Sequence, residues 1–170
     1  MIAQKAGGRY HAKVVVSILR TLEEHPIGSV RLEPALTVAA ATPIGDVLTT
    51  MRSARIAHVL VVEEEALVGI FTERDLLMHA ISPDGVPAAP VSEFMSRQPV
   101  TLEASQALSE VLQPMVEGRF RHLPIHDPRR GYIGVLTTHN LFQFIAELIP
   151  GTLLNLPPRP NQTLLAPEGA

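Results

Sequence analysis

The chain has 170 residues, a formal net charge of −3 and no cysteine, which excludes disulfides, thiolate metal sites and a cysteine nucleophile. Apolar residues make up 46% and charged residues 18% of the sequence; because soluble domains typically carry roughly 25% charged residues, we expect part of the surface to be buried in a homodimer. The scattered basic residues and few aromatics argue against nucleic-acid binding. The start of the sequence lacks the apolar core of a signal peptide, and no apolar run reaches the roughly 18 residues of a membrane span. We therefore expect a cytoplasmic protein without a membrane span.

The first predicted elements are a flexible arm over residues 1–13 and an amphipathic helix from about Lys13 to Glu24. Apolar residues of this segment recur at i, i+3, i+4 and i+7, which places them on one face of a helix. These residues are Val15, Ile18, Leu19 and Leu22. We assign the helix to a first unit that spans residues 14–82.

The first unit is predicted to run strand–helix–strand–strand–helix. Thr42 before Pro43 predicts a helix N-cap with proline at the first helical position. The β-branched run His58–Val62 predicts a strand that is covered on both faces. Three glutamates predict the turn after it, Val68–Phe71 predicts the next strand, and Arg74–Ala80 is predicted to close the unit as a helix.

A proline-rich linker, residues 83–90, is predicted to separate this unit from a second unit, residues 91–149, with the same order of elements. Pro114 falls within the first helix of the second unit and predicts that this helix is kinked or begins late. The last helix is predicted over about Thr138–Leu148, and a flexible, proline-containing tail is predicted over residues 150–170.

The two units are imperfect copies of one sequence. The pattern of Thr37–His58 recurs in Thr101–His122 at a spacing of 64 residues (101 − 37 = 64). Gly69–Asp75 recurs as Gly134–Asn140 at a spacing of 65 (134 − 69 = 65). The spacing grows by one residue because the polar turn that precedes this segment in each unit accepts an insertion. Such a duplication predicts two units packed around a pseudo-twofold axis, with ligand clefts between them.

Each copy of the last segment carries a threonine followed three residues later by Asp75 or Asn140. This spacing predicts a capping box, in which the two side chains satisfy free amides at a helix start. The same geometry suits a ligand, since a carboxylate can accept two hydrogen bonds from a ribose diol and a helix start can hold a phosphate. Because the uncharged Asn140 is the weaker acceptor, the first copy predicts the stronger site.

This organisation resembles the cystathionine β-synthase (CBS) domain family, in which two copies form a CBS pair, or Bateman module. The resemblance rests on the duplication, on the Gly-h-h-Thr-x-x-Asp string (h is apolar), on Arg119–Ile125 and on Val91–Val100. It covers roughly Val14–Leu148. It implies a mixed α+β fold of two β-α-β-β-α repeats packed by pseudo-twofold symmetry, with an N-terminal helix.

The resemblance implies regulation rather than catalysis. It implies a stand-alone module that senses adenosyl ligands in the clefts between its repeats: AMP, ADP or ATP, with S-adenosylmethionine also possible. It further implies a homodimer that signals to a separate, unidentified regulated protein.

The resemblance also implies a role for each matching residue. Ribose would be held by Asp75 and Asn140. Phosphate would be reached by side chains at the two helix starts: Thr72, Arg74, Thr137 and His139. The adenine edge would be bonded through the backbone of Thr37 and Thr101. The base would be lined by two segments, one from each repeat: Ile56, Ala57, His58 and Val59, and Phe120, Arg121, His122, Leu123 and Pro124.

Other functions were weighed against a ligand sensor. A non-catalytic dimerisation or scaffold module with vestigial ligand sites is the open alternative, since chains of this family can keep the fold and lose the ligand. An enzyme is not expected, because the sequence has no P-loop, nucleophile elbow or recurring pair of carboxylates. No metal site is expected, because His122 and His126 would stand about 13 Å apart along a strand, too far to share one ion.

Overall fold

Two small β-sheets, one for each sequence repeat, organise the fold. The computed structural model describes residues 3–80 and 88–149, with side chains described for residues 14–79 and 88–149. The predicted tail, and most of the predicted linker, lie outside the described residues.

The first sheet has four strands in the order β1-β2-β3-β4. The central strand β2 (His58–Glu63) lies parallel to β1 (Thr37–Ala39) and antiparallel to β3 (Ala66–Thr72), and β3 pairs with the short β4 (Ser96–Arg97). The glutamate turn between β2 and β3 is confirmed. Two of its residues have positive φ, 46° and 69°, which is the backbone geometry of a tight two-residue hairpin.

The second sheet repeats this arrangement with three strands. β5 (Leu102–Glu103) lies parallel to β6 (His122–Asp127), and β6 is antiparallel to β7 (Gly131–Thr137). In place of a fourth strand, Glu33 forms a single antiparallel bridge to Val135 of β7. The predicted order of elements is therefore confirmed in both units.

The short segment that leads into each repeat completes the sheet of the other repeat. β4 precedes the second repeat in the chain and pairs with β3 of the first. Glu33 precedes β1 and exchanges two backbone hydrogen bonds of 2.9 Å with Val135. Further along, the Leu108 amide donates to the His25 carbonyl at 2.8 Å. Main-chain hydrogen bonds in both directions therefore join the two units.

Two glycines allow the exchanged segments to lie close to the sheets. A Cβ on Gly69 would collide with the Met95 side chain, and a Cβ on Gly134 would lie 2.6 Å from Leu32 Cβ and 2.9 Å from the Glu33 carbonyl oxygen. A side chain at either position would push the incoming segment away from its hydrogen-bonding distance. These glycines therefore have a steric role in the sheets.

The leading helix α1 spans Ala3–Glu24 and so covers most of residues 1–13, where the sequence predicts a flexible arm. Once the packed end of a helix is formed, each further residue adds one hydrogen bond, so the polar residues continue it. Its buried Leu22 packs with Leu108 and Val111 in the core of the second unit. A helix assigned to the first unit by its position in the chain thus packs on the second.

Helix α2 (Ile44–Ala54) begins one residue later than predicted. The expectation that Thr42 caps it is wrong: Pro43 is the N-cap, in an extended conformation, and no side chain caps the helix. The reason lies in tertiary pairing, because the Ile44 amide donates to the Ala89 carbonyl at 3.0 Å. The backbone of the following segment supplies the acceptor that a capping side chain would have offered.

In the second unit the corresponding helix starts late, as Pro114 predicts. A 3₁₀ turn (Leu108–Val111) comes first, and α4 (Leu112–Val116) follows. Proline is tolerated near a helix start, where its missing N–H would be unpaired in any case. Among the described helices, none is both long and apolar enough to cross a bilayer.

A helix closes each unit. In the first unit α3 (Glu73–Asp75) continues as a π-helical segment, Leu76–Ala80. In the second unit α5 spans Thr138–Leu148, with the predicted bounds. Both helices start directly after the third strand of their unit.

Each unit has its own apolar core, and a small third cluster joins the two sheets. The first core contains Ile44, Val47, Met51, Ile56, Val59, Val61, Phe71, Val91 and Met95. The second contains Leu22, Ile27, Val30, Leu108, Val111, Leu123, Ile125, Leu136 and Leu141. The third consists of Leu60, Ile70 and Val135, and the two sheets are thus in direct apolar contact.

Two equivalent residues, the interface histidines His58 and His122, meet where the units face each other. Their ring centroids lie 5.2 Å apart, and His58 is almost fully buried, with Nε2 lying 3.3 Å from the Pro34 carbonyl oxygen. Burial lowers the pKa of both side chains, to about 4 for His122, where the neighbouring imidazole lowers it further and the Asp75 and Glu33 carboxylates act in the opposite direction. Both rings are therefore neutral near pH 7.

We predict that Gly134→Ala destabilises the protein more than Gly69→Ala. At position 134 the new methyl group meets a Cβ and a backbone oxygen, whereas at 69 its nearest neighbours belong to the flexible Met95 side chain. Overpacking typically costs about 1–3 kcal/mol, which urea denaturation can measure. Gly45→Ala is the control, because nothing lies within 4 Å of its Cβ and alanine favours helix. Wild-type stability for Gly134→Ala would contradict the close approach.

We also predict that acidification weakens the fold through His122. Its pKa is about 4 when folded, against 6.5 for an unperturbed histidine. The unfolded chain therefore takes up the proton first, and the free energy of unfolding falls as the pH drops from about 6.5 to about 4. His122→Gln should flatten this part of the curve in urea denaturation at a series of pH values. Parallel curves for wild type and His122→Gln would refute the assignment.

Candidate ligand-binding clefts

The first candidate site is built where β3 passes into α3. The Asp75 amide donates to Thr72 Oγ1 at 3.3 Å, while the Thr72 amide and hydroxyl donate to Asp75 Oδ2 at 2.9 and 2.6 Å. The predicted capping box is therefore formed. Within this box the Thr72 hydroxyl donates one hydrogen bond and accepts another.

Strand β4 brings a third group to this box. The hydroxyl of Ser96, which is exposed, donates to Asp75 Oδ1 at 2.9 Å. Both carboxylate oxygens of Asp75 thus accept hydrogen bonds, and one donor comes from the segment that leads into the second repeat. Because Oδ1 is held by a single exposed hydroxyl, it is the oxygen that a ligand can take over most easily.

The second copy of the box is also formed, with an amide in place of the acid. The Asn140 amide N–H donates to Thr137 Oγ1 at 3.2 Å, and the Thr137 amide and hydroxyl donate to Asn140 Oδ1 at 3.1 and 2.6 Å. Asn140 is only 5% exposed, whereas Asp75 is half-buried. The two helix starts are alike in geometry and differ in charge and access.

A cleft of about 570 Å³ opens in front of Asp75. One wall comes from β3 and α3 of the first unit, and the facing wall comes from the loop before β6 in the second unit. The segment from β4 to Val100 forms the floor between them. The cleft therefore lies between the two repeats, where the duplication predicts a ligand site.

Basic side chains dominate the charge of this cleft. Four arginines line it, against the two acids Glu73 and Asp75: Arg74, Arg97, Arg119 and Arg121. The salt bridge found among the described side chains is Arg20–Glu24, on α1, so the four arginines are not neutralised by described acidic partners. The cleft can therefore attract an anionic ligand.

Apolar side chains also line the cleft. Phe120 is 42% exposed and Val100 is 37% exposed, and Pro99 and Ile70 complete the apolar lining. An exposed aromatic ring beside aliphatic groups can stack on the face of a planar base. The cleft thus combines apolar side chains, a carboxylate and a group of arginines.

The structure brings part of the predicted site together in this cleft. The predicted residues that line it are Ala57, Thr72, Arg74, Asp75, Phe120, Arg121 and His122. The predicted residues that do not line it are Thr37, Ile56, His58, Val59, Thr101, Leu123, Pro124, Thr137, His139 and Asn140. Val59 and Leu123 lie fully buried in the two cores, so their side chains face away from any cleft.

Several lining residues are missing from the predicted site, and three of them bear on the polar contacts and charge of the cleft: Ser96, Arg97 and Arg119. Ser96 and Arg97 reach the cleft because β4 pairs with the sheet of the other repeat, which local sequence does not reveal. Arg119 has a signal in the duplication, since it matches Arg55. Both residues have left-handed backbone, with φ of 54° and 55°, so the same turn geometry places them in the two repeats.

The sequence matches the family model of the CBS domain twice, over residues 18–82 and 91–147. A CBS domain-containing protein of Arabidopsis thaliana is 38% identical over 104 residues, which are 60% of this chain and 19% of that protein. The chain therefore spans about a fifth of the length of the Arabidopsis relatives that it matches.

Solved structures share the fold. A putative signal-transduction protein with CBS domains from Burkholderia ambifaria has a TM-score of 0.60 at 28% identity, over 75% of this chain and 92% of that one. The CBS domain of a bacterial CNNM/CorC family Mg²⁺ transporter, solved in complex with ATP, has a TM-score of 0.66 at 18% identity, over 82% of this chain and 99% of that one. Two matched segments and two equivalent sheets establish that the chain belongs to the CBS domain family, as a tandem pair of repeats.

Proposed function

We propose that this CBS pair is a regulatory module, without catalytic activity, that binds an adenine nucleotide in the cleft in front of Asp75. The observation that carries the proposal is the set of groups that line that cleft: an exposed aromatic ring beside aliphatic side chains, a half-buried carboxylate, and four arginines. A nucleotide presents a planar base, a ribose diol and phosphate, so each of its parts has a matching group in the cleft.

The ribose contact falls to Asp75. A vicinal diol offers two donors, and a carboxylate can accept both. Oδ2 is held by the capping box, whereas Oδ1 is held only by Ser96. A diol can displace the Ser96 hydroxyl and leave the helix cap intact, so binding does not cost the fold its N-cap.

In this proposal the arginines contact the phosphate, and Thr72 does not. The Thr72 hydroxyl both donates to and accepts from Asp75, and a phosphate contact would break the cap. Guanidinium groups bind phosphate in a bidentate way. Four of them exceed what one phosphate needs, which favours ADP or ATP over AMP and disfavours the cationic S-adenosylmethionine.

Signalling to a separate protein is the second part of the proposal. The Asp75–Ser96 bond links the first repeat to the segment that leads into the second. A ligand that replaces this bond also contacts the loop before β6, so it changes what holds the two repeats together. A regulated partner would then respond to the resulting change in shape or association.

We predict that ATP stabilises the protein in a thermal-shift panel of AMP, ADP, ATP, NAD and S-adenosylmethionine. A ligand at 100 times its dissociation constant adds about 2.7 kcal/mol, which is a shift of several degrees for a chain of this size. Asp75→Ala should weaken ATP binding at least tenfold in calorimetry, and Asn140→Ala much less. Asp75→Asn is the matched control for stability, because an asparagine forms the same cap in the second copy.

Equal losses for Asp75→Ala and Asn140→Ala would contradict the choice of cleft. The alternative function, a scaffold with vestigial sites, is favoured by the complete capping boxes at both helix starts. It predicts that no nucleotide shifts the melting temperature at millimolar concentration, and that Asp75→Ala only lowers it. Hydrolysis of ATP in the presence of magnesium would contradict the non-catalytic assignment.

We further propose that two copies of the chain associate through the outer faces of the closing helices. Leu77 and Phe142 are equivalent residues of these helices (142 − 77 = 65), and they are 69% and 70% exposed. Large apolar side chains exposed at symmetry-related points suit a twofold interface, in which the same patch is used by both copies.

We predict that Leu77→Asp and Phe142→Asp each shift the chain from dimer to monomer, since a charge in an apolar interface remains unpaired. Size-exclusion chromatography with light scattering measures this. Val116→Asp is the control, because Val116 is as exposed, at 73%, and its counterpart in the first repeat is the polar Arg52. A wild-type chain that is monomeric at all concentrations would rule the interface out.

A further inference from the structure

A second cavity, of about 580 Å³, lies beside the cleft in front of Asp75. It is an open groove in the second unit, bounded by residues 100–102 and by residues 109–120, which include α4. We call it the α4 groove. It shares three lining residues with the nucleotide cleft: Val100, Gly118 and Phe120. The two cavities are therefore neighbours, and the ring of Phe120 stands between them.

One part of the lining of the α4 groove is apolar. Phe120 and Val100 are exposed, and Leu102 and Pro114 lie beside them in the groove. An exposed aromatic ring next to a proline and aliphatic side chains is the kind of surface on which proline-rich segments dock. Such segments lose little conformational entropy on docking, because proline already fixes φ.

The rest of the α4 groove is acidic. Glu110 and Glu117 line it, and none of the described residues that line it is a lysine, an arginine or a histidine. Each carboxylate accepts a hydrogen bond from a neutral amide: Gln106 Nε2 donates to Glu110 at 2.6 Å, and Gln113 Nε2 donates to Glu117 at 3.1 Å. The groove therefore carries negative charge that its own lining does not offset, and it attracts a cation.

The chain itself carries a segment with the matching chemistry, Pro157-Pro158-Arg159-Pro160. It belongs to residues 150–170, which lie outside the described residues. Its prolines match the apolar part of the groove. Arg159 is the one basic residue in the sequence of residues 150–170, and a guanidinium group pairs well with carboxylates. Both parts of the groove thus have a counterpart in four consecutive residues.

The end of α5 lies within reach of the groove. The Thr138 amide at the start of α5 donates to the Arg121 carbonyl at 3.1 Å, and Arg121 follows Phe120 in the chain. Helix α5 has 11 residues and therefore ends about 16 Å further on. Nine residues lead from Leu148 to Pro157 (157 − 148 = 9), and they span about 30 Å when extended. The chain is thus long enough to return to the groove.

We propose that residues 157–160 dock in the α4 groove of their own chain, with prolines against Phe120 and Pro114 and with Arg159 between Glu110 and Glu117. A tethered segment has an effective concentration on the order of millimolar, so a weak contact is enough to fill the groove. The docked segment covers the face of Phe120 on which a base would stack. Nucleotide and tail then compete for this ring, a step that rests on the proposed function, whereas the docking itself does not.

The test uses the full chain, which has no cysteine, so that two introduced thiols can pair only with each other. Gln113→Cys places one thiol in the groove, and Asn161→Cys places the other two residues after Arg159. Under a mild oxidant the two should form a disulfide within one chain, which peptide mass mapping detects. Thr49→Cys with Asn161→Cys is the matched control, because Thr49 is equally exposed at the equivalent position of α2 (113 − 49 = 64). It should react at least tenfold more slowly.

Reversal of the charges tests the role of Arg159. Arg159→Glu should slow the disulfide at Gln113→Cys at least tenfold, and Glu110→Lys with Glu117→Lys should restore its rate in that background. These side chains are exposed or lie in the tail, and unchanged melting temperatures confirm that the variants fold. Equal rates for the two cysteine pairs, or a rate that does not respond to Arg159→Glu, would overturn the docking. A disulfide that joins two chains would overturn docking within one chain.

The same pair of thiols separates this inference from the proposed function. Saturating ATP should slow the disulfide at least tenfold, because base and tail compete for Phe120. If the disulfide forms as expected while calorimetry detects no ATP binding, the docking stands and the proposed function fails. If ATP binds but the disulfide forms no faster than in the control, the proposed function stands and the docking fails. ATP that binds without slowing the disulfide would overturn the competition.

Discussion

The exchange of short segments between the repeats is the constraint on which the rest of the structure depends. Strand β4 completes the first sheet and Glu33 completes the edge of the second. In each repeat, backbone hydrogen bonds at the edge of the sheet are therefore made with a segment that leads into the other repeat. Gly69 and Gly134 allow the exchanged segments to lie close to the sheets. The small apolar cluster between the sheets follows from this packing. The cleft lies where the exchanged strand β4 passes Asp75. The lining of the cleft and the joining of the repeats therefore use the same few residues.

The sequence predicts most elements because their periodicity is local. The run His58–Val62 and the closing helix Thr138–Leu148 carry patterns that tertiary contacts do not override, and both are observed. The predicted Thr42 cap fails because a segment more than forty residues later supplies the hydrogen bond (89 − 44 = 45). Likewise, nothing local indicates that α1 packs on the second unit, since its apolar stripe fits either core.

The site is predicted only in the part that the repeat carries. Thr72 and Asp75 lie within a copied motif, and both are found in the cleft. Ser96 and Arg97, which the sequence misses, lie in a segment outside the copied motifs. The repeat spacing of 64 aligns Glu33 with Arg97 (97 − 33 = 64), whereas the backbone pairing aligns it with Ser96 (96 − 33 = 63). A shift of one residue turns a side chain to the other face of a strand, so spacing alone gives the wrong counterpart.

The position of α1 has a consequence for how the chain acquires its structure. Leu22 is buried among residues that come more than eighty positions later, such as Leu108 (108 − 22 = 86). The chain therefore closes a long loop before its first helix is covered, and such non-local closure slows folding. During synthesis, the first repeat leaves the ribosome with an uncovered helix and an incomplete sheet edge, and both are satisfied only when the second repeat has emerged. The two halves are thus stages of one folding event rather than separate folding units.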